Sequence, residues 1–130
     1  MNWLLDTDTC IDALRHRPSV LRRLKALSPD DVAVASMTEA ELWYGAWRSR
    51  DPAGARQSVA SFLAPLGRLP FDSEAAERHA DLRFALRAQP IGERDLIIAS
   101  VAVAQGLALV TRNVREFARV PSLTVEEWTT

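Results

Sequence analysis

Apolar residues in this chain come in short runs that switch between an extended and a helical spacing. Trp3 to Leu5 reads as a strand, and Asp6-Thr7-Asp8-Thr9 then supplies side chains suited to capping a helix from about Cys10 to Arg15. Pro18 opens a second helical pattern through Val20, Leu21, Leu24 and Leu27, ended by Ser28-Pro29-Asp30. Val32 to Ala35 is a second strand, and Ser36 to Thr38 leads into a helix carrying Glu41, Leu42, Tyr44, Gly45 and Trp47. Asp51-Pro52 starts a helix through Val59, Phe62 and Leu63, and Leu69 to Phe71 offers a short strand. Asp72 and Ser73 cap a helix over about Glu74 to Ala88, with Ala76, Ala80, Phe84 and Leu86 facing inward. Beyond Gly92, Glu93 to Gln105 is nearly all apolar after Asp95 and reads as a buried helix that stops at Gly106. Ala108 to Val110 is the next strand, Glu116-Phe117 lies in a short turn or helix, and Leu123 to Val125 is a candidate edge strand. Strands alternating with helices predict an α/β fold: a parallel sheet of four to five strands with helices on both faces.

Composition narrows the class without naming it. The 130 residues suit a single domain with one core, residues 1–130. No apolar run approaches the roughly 18 residues of a membrane span. The start MNWLLDTD lacks the basic region and long apolar stretch of a secretory leader, so a cytoplasmic protein is expected. Cys10 has no second cysteine to pair with, which excludes an intramolecular disulfide and a thiolate zinc cluster and leaves it as a small core residue. A net charge of −1 argues against coating nucleic acid by bulk attraction, so any polyanion must be met locally.

The chemistry lies where the strands end. In an open parallel sheet, ligands sit beyond the carboxyl ends of the strands. Asp6 ends the first strand, Glu41 lies one to two turns into the helix after the second, and Asp95 opens the buried helix. Asn113 and Glu116 follow the strand ending at Val110. Carboxylates gathered out of water repel one another, and a cation relieves them. Oxygen ligands without Cys or His select a hard ion, Mg²⁺ or Mn²⁺. Each acid also has a plainer reading: Asp6 as a helix cap, Glu41 as a solvated helix residue, and Asp95 as a charge complementing the helix dipole. Asp95 fits its plain reading least, because Leu96-Ile97-Ile98-Ala99 signals burial on nearly every side. Asp8 has the weakest claim, since Asp8 and Thr9 are good caps.

These residues stand in strings that resemble a family. LLDTDTCI, ASMTEAELWYGA, PIGERDLIIASVAVAQGLALVTRN and REFARVPSLTVEEW are similar, in order and spacing, to the VapC-type toxins of the PIN-domain ribonucleases. The resemblance covers nearly the whole chain. It implies a three-layer PIN-like fold and a metal-dependent endoribonuclease held inactive by a VapB-type antitoxin. It also implies that Asp6, Glu41 and Asp95 form the metal site, with Glu39 on a different helical face from Glu41. Many PIN nucleases carry a fourth acid where this chain has Asn113, an uncharged and weaker ligand. Glu116 is near enough to act through water, and Asp8 restores one negative charge.

The resemblance further implies tRNA or another structured RNA as substrate; one firmly held Mg²⁺ is expected, with Mn²⁺ able to substitute and a second ion joining only with substrate phosphate, and hydrolysis to 5′-phosphate and 3′-hydroxyl ends. Thr111 and Ser36 are candidates to orient a carboxylate or a water, or else to cap turns. Arg112 is the best candidate for RNA contact because it adjoins the site; Arg15, Arg17, Arg22, Arg23, Arg115 and Arg119 are weaker, since 15 of the 16 basic residues are arginines spread along the chain. Trp43, Tyr44 and Trp47 cannot all face one core, and the resemblance assigns their surface to an antitoxin or a second copy of the chain in a homodimer. Three rival readings stand beside this one. Asp6-Thr7-Asp8-Thr9 fits the nucleophile motif of haloacid-dehalogenase-type phosphatases, but the lysine those enzymes need is absent from the downstream sequence, Lys25 being the chain's single lysine. A binding module with a weakened site and a DNA nuclease are the others.

Overall fold

The computed structural model describes residues 1–129. Five strands form one parallel sheet: β1 (Trp3–Leu5), β2 (Val32–Ala35), β3 (Gly67–Leu69), β4 (Ala108–Val110) and β5 (Val125–Glu126), in spatial order β3-β2-β1-β4-β5. The order reverses at β1, so the crevice for a ligand opens beyond the ends of β1 and β4. Among the described residues seven α-helices cover the sheet: α1 (Thr7–Leu14), α2 (Pro18–Lys25), α3 (Ser36–Trp47), α4 (Pro52–Leu63), α5 (Ser73–Ala85), α6 (Glu93–Gln105) and α7 (Val114–Phe117).

Alternation along each strand divides the core into two. Leu4, Ala33, Ala35 and Leu109 point to one face, where α5, α6 and Phe117 cover them. Leu5, Val32, Val34 and Val110 point to the other, under side chains of α1 to α4 and Trp128. This is the three-layer arrangement expected from the alternating elements. Ile98, Leu109 and Phe117 are wholly buried, each stabilising the fold by ~1.5–3 kcal/mol relative to exposure. Cys10 is a buried core residue, as expected. Gly106 ends α6 at φ +67°, a left-handed conformation that favours glycine.

Several boundaries and one face differ from expectation. Helix α1 begins at Thr7 rather than Cys10, because Asp6 itself is the cap: its side chain accepts the Thr7 N–H at 2.8 Å. Strand β3 runs over Gly67–Leu69 rather than from Leu69 to Phe71, and β5 falls at Val125–Glu126. Helix α5 ends at Ala85 and buries Ala75 and Leu82, with the cap residue Leu86 also buried as expected; Ala76, Ala80 and Phe84 face out. Phe84 is 66% exposed and lies under the Arg87 guanidinium, which covers the ring that the core does not take.

Candidate active site

Asp6 stands at the junction of β1 and α1, and its carboxylate is 5% exposed as part of the residue. One oxygen accepts the Thr7 N–H, and the other accepts the Thr111 hydroxyl at 2.8 Å. Thr111 follows β4, so a single hydroxyl ties the ends of the two central strands together. The Asp6 carboxyl is pushed up to about 6, first by burial and then by the charges of Asp8 and Glu41, against the hydrogen bonds from Thr111 and Thr7.

Glu41 reaches the same region from the second turn of α3. Its Oε1 accepts the Thr7 hydroxyl at 2.6 Å, and its Oε2 is 3.9 Å from Arg94 Nη1. Glu39 turns away to β3, with Arg68 Nη1 at 3.8 Å, which fits its expected separation from Glu41. Neither Thr7 nor Arg94 stood out in the sequence: a threonine after an aspartate reads as part of a cap, and the contact with Glu41 spans 34 positions. The buried hydroxyl of Thr38 completes the cluster, 3.3 Å from that of Thr7. Ser36 is not part of it; it is exposed and its hydroxyl donates to the Leu69 carbonyl at 3.4 Å.

Asp95 lies in the first turn of α6, where the helix dipole favours a negative charge. Burial nonetheless raises its carboxyl to about 7, helped by a hydrogen bond to Glu116 and by the charges of Glu116, Asp6 and Glu41. Burial also acts upward on Glu116, but hydrogen bonds with Asp95, the Asn113 side chain and the Gly92 N–H, together with the Arg119 charge, leave it lowered. The two carboxyls are thereby pushed in opposite directions, Asp95 toward keeping its proton and Glu116 toward losing it. Asn113 does not stand in for a fourth acid; its amide donates to Glu116 Oε2 at 3.0 Å and its N–H to the Thr111 hydroxyl at 3.0 Å. Asp8 likewise serves the turn after β4, accepting the Arg112 N–H at 3.2 Å. Arg112 carries its guanidinium toward Asp12, with Nε at 2.9 Å.

Three separate elements thus bring the acids singled out in the sequence within electrostatic reach: the Glu41 charge acts on Asp6, and the Asp6 and Glu41 charges act on Asp95. Among the described residues no three acidic, histidine or cysteine side chains converge closely enough to enclose an ion. Each carboxylate is turned instead to a hydroxyl, an arginine or a second carboxyl. The donor set nonetheless fits a hard divalent cation: it is all oxygen, and its raised proton affinity at Asp6 and Asp95 is the mark of carboxylates lacking a positive partner.

Beside Glu41 a groove of ≈ 870 Å³ runs between α1, α3 and α4, floored by Ile11, Leu14 and Leu42 and rimmed by Arg15, Arg48 and Arg94. Tyr44 and Trp47 next to it are 63% and 61% exposed, whereas Trp43 packs against the core, so the aromatic cluster divides as its spacing on α3 requires. Of the weaker arginine candidates, Arg17, Arg23 and Arg119 have structural partners: Arg17 pairs loosely with Asp12 at 3.8 Å, Arg23 pairs with Glu126, and Arg119 Nη2 donates to the Pro90 carbonyl at 3.5 Å.

The sequence matches the PIN domain family over residues 3–123. It is 35% identical over 130 residues to the tRNA(fMet)-specific endonuclease VapC of Salmonella typhimurium, covering 98% of each chain. It is 34% identical over 132 residues to ribonuclease VapC2 of Rickettsia felis, again over 98% of each. The structure superimposes on a chain of the DNA-bound VapBC complex of Salmonella typhimurium with a TM-score of 0.93, at 34% identity and 98% coverage of both chains. This agreement of sequence and fold sets aside the phosphatase reading, and the chain belongs to the PIN-domain family, among its VapC-type ribonucleases.

Proposed function

We propose that this chain is the toxin of a type II toxin-antitoxin pair and acts in the cytoplasm as a Mg²⁺-dependent endoribonuclease, with Mn²⁺ able to substitute. The observation that carries the reading is that Asp6, Glu41 and Asp95 lie within electrostatic reach of one another, with Asp6 and Asp95 held at raised proton affinity first by burial and then by neighbouring acids. These three residues would hold the ion, and Glu116 lies behind them.

Lewis-acid activation of the attacking water and neutralisation of charge at the leaving 3′ oxygen are the chemistry that a bound Mg²⁺ supplies. The protein's own groups set the stage. Thr111 and the Thr7 N–H fix Asp6 in one orientation, and the Thr7 hydroxyl fixes Glu41. Burial and the neighbouring acids raise the proton affinity of Asp95, and a cation there would favour its ionised, ligating form. Arg112 supplies positive charge at the rim for an RNA phosphate. Hydrolysis by water leaves a 5′-phosphate and a 3′-hydroxyl.

The relatives named above include a tRNA-specific endonuclease and a VapBC complex, which supports tRNA or another structured RNA as substrate and a VapB-type antitoxin as partner. The groove beside Glu41 suits the apolar segment of such an antitoxin, and exposed Tyr44 and Trp47 suit a homodimer contact.

The test is cleavage of bulk tRNA by antitoxin-free protein with Mg²⁺, Mn²⁺ or EDTA, with product ends mapped. Discrete cuts bearing 5′-phosphate that vanish in EDTA are expected. A 2′,3′-cyclic phosphate end, or cutting that persists in EDTA, contradicts the mechanism. Cleavage of DNA at an equal rate contradicts the substrate class.

A further inference from the structure

Asp12 is a buried acid that no step above uses. It lies four residues after Asp8 on α1, so the two share a helix face, yet it is only 6% exposed. Its partners are both arginines: Arg112 Nε at 2.9 Å and, more loosely, Arg17 Nη1 at 3.8 Å. A buried carboxylate is costly unless it is paired, and the Arg112 guanidinium is the nearer of the two cations that answer Asp12. Among the described residues no other carboxylate comes within ion-pairing distance of Arg112.

The neighbours of Arg112 show what the pair controls. Thr111 donates to Asp6, Asn113 donates to Glu116, and the Arg112 N–H itself donates to Asp8. Three consecutive residues are thereby fastened to the acidic site, and Asp12 fastens the side chain of the middle one. An arginine whose own N–H donates to Asp8, and whose neighbour Thr111 donates to Asp6, stands next to acids onto which its guanidinium would otherwise fold. Asp12 draws it aside, while the arginine side chain stays 44% exposed at the rim.

We propose that Asp12 is a positioning residue, which holds Arg112 at the rim of the acidic site so that its guanidinium meets a phosphate of bound RNA instead of the site's own carboxylates. The inference rests on the ribonuclease reading. It predicts that loss of Asp12 acts on RNA binding through Arg112 and not on the chemical step.

The experiment uses the full chain with bulk tRNA in two forms. Binding of end-labelled tRNA is followed by anisotropy in the cleavage-silent Asp95→Asn background, and KM and kcat are measured in the active background. Asp12→Asn, Arg112→Gln, the double variant and Arg112→Lys are compared, with thermal unfolding of each. Asp12→Asn and Arg112→Gln are each expected to weaken binding and raise KM about tenfold with kcat nearly unchanged. Each should lower the slope of log affinity against log salt by about 0.7 to 0.9, one phosphate's worth. The double variant should be no worse than Arg112→Gln. Arg112→Lys, which keeps charge but not the Nε contact, should also raise KM, and it serves if Asp12→Asn does not fold.

Overturning results are distinct. If Asp12→Asn lowers only the unfolding temperature, with binding and salt slope as in the parent, the role is structural. Additive losses in the double variant, or a parental KM in Arg112→Lys, also overturn the proposal. A wild-type chain that neither binds nor cuts tRNA or any other RNA takes the ribonuclease reading down with it.

Discussion

Two carboxylates at the same sheet show what a satisfied acid looks like and what an unsatisfied one does. Glu126 on β5 accepts the indole N–H of Trp3 at 3.0 Å and that of Trp128 at 3.2 Å, and pairs with Arg23 at 3.3 Å. Arg23 also lies over the Trp128 ring, so acid, cation and two indoles close on one another. Asp95, on the far side of β4, faces Glu116, Asp6 and Glu41 and reaches about 7. One acid fastens the end of the chain to β1; the other, crowded by its own kind, is left ready for a cation. The difference between a structural and a chemical carboxylate is thus one of burial and of partners, burial being the larger cause at Asp95 and its acidic neighbours the next.

Substitution of each should have opposite effects. Asp95→Asn is expected to lower tRNA cleavage by roughly 10²-fold or more, with metal-free unfolding unchanged or shifted upward, because a repelling charge is removed. A variant that cuts at the wild-type rate refutes the assignment. Glu126→Ala is expected to destabilise the fold by ~2–3 kcal/mol in urea titration, since it leaves two indole N–H groups without their acceptor, while activity per folded molecule persists. A stability change under ~0.5 kcal/mol would dissolve the contrast.

The pH dependence follows from the sign of the shifts. Asp6 at about 6 in the folded chain, against an unfolded value of about 3.9, keeps its proton longer when folded. In that window the native state binds more protons, so this contribution is whole below about pH 4 and is lost as pH rises through 6. Metal-free wild type should therefore lose, relative to Asp6→Asn, on the order of 1–3 kcal/mol between pH 4.5 and 7.5. Denaturant titrations at both pH values check it, and a wild type that gains on the variant as pH rises contradicts it. Smallest of all, Tyr44→Ser and Trp47→Ser should change monomer stability by less than ~0.5 kcal/mol, because both rings are largely solvated. A larger loss would place them in the core.

Asp6 and Asp95 were legible in the sequence because each adjoins an unmistakable apolar run: Asp6 after Trp3 to Leu5, Asp95 before Leu96-Ile97-Ile98-Ala99. The groups that aim them were not. Thr7 meets Glu41 across 34 positions, and Asp12 in a short helix reads as a solvated charge until Arg112 arrives from beyond β4. Helix α5 misled for a related reason. Its small and apolar residues allow two frames, and Phe84 weighted the wrong one, while Ala75, Leu82 and Leu86 form the face that α6 covers. Periodicity finds which elements are buried; only the packed partner decides which of two faces wins.

The central claim is that the unsatisfied acids, and not the satisfied one, hold the cation that does the chemistry. Calorimetric titration of Mn²⁺ into the wild type, Asp95→Asn and Glu126→Gln tests it most directly. Saturable binding in the wild type and Glu126→Gln, lost in Asp95→Asn, is the predicted result; equal binding in Asp95→Asn, or none in the wild type, contradicts the account.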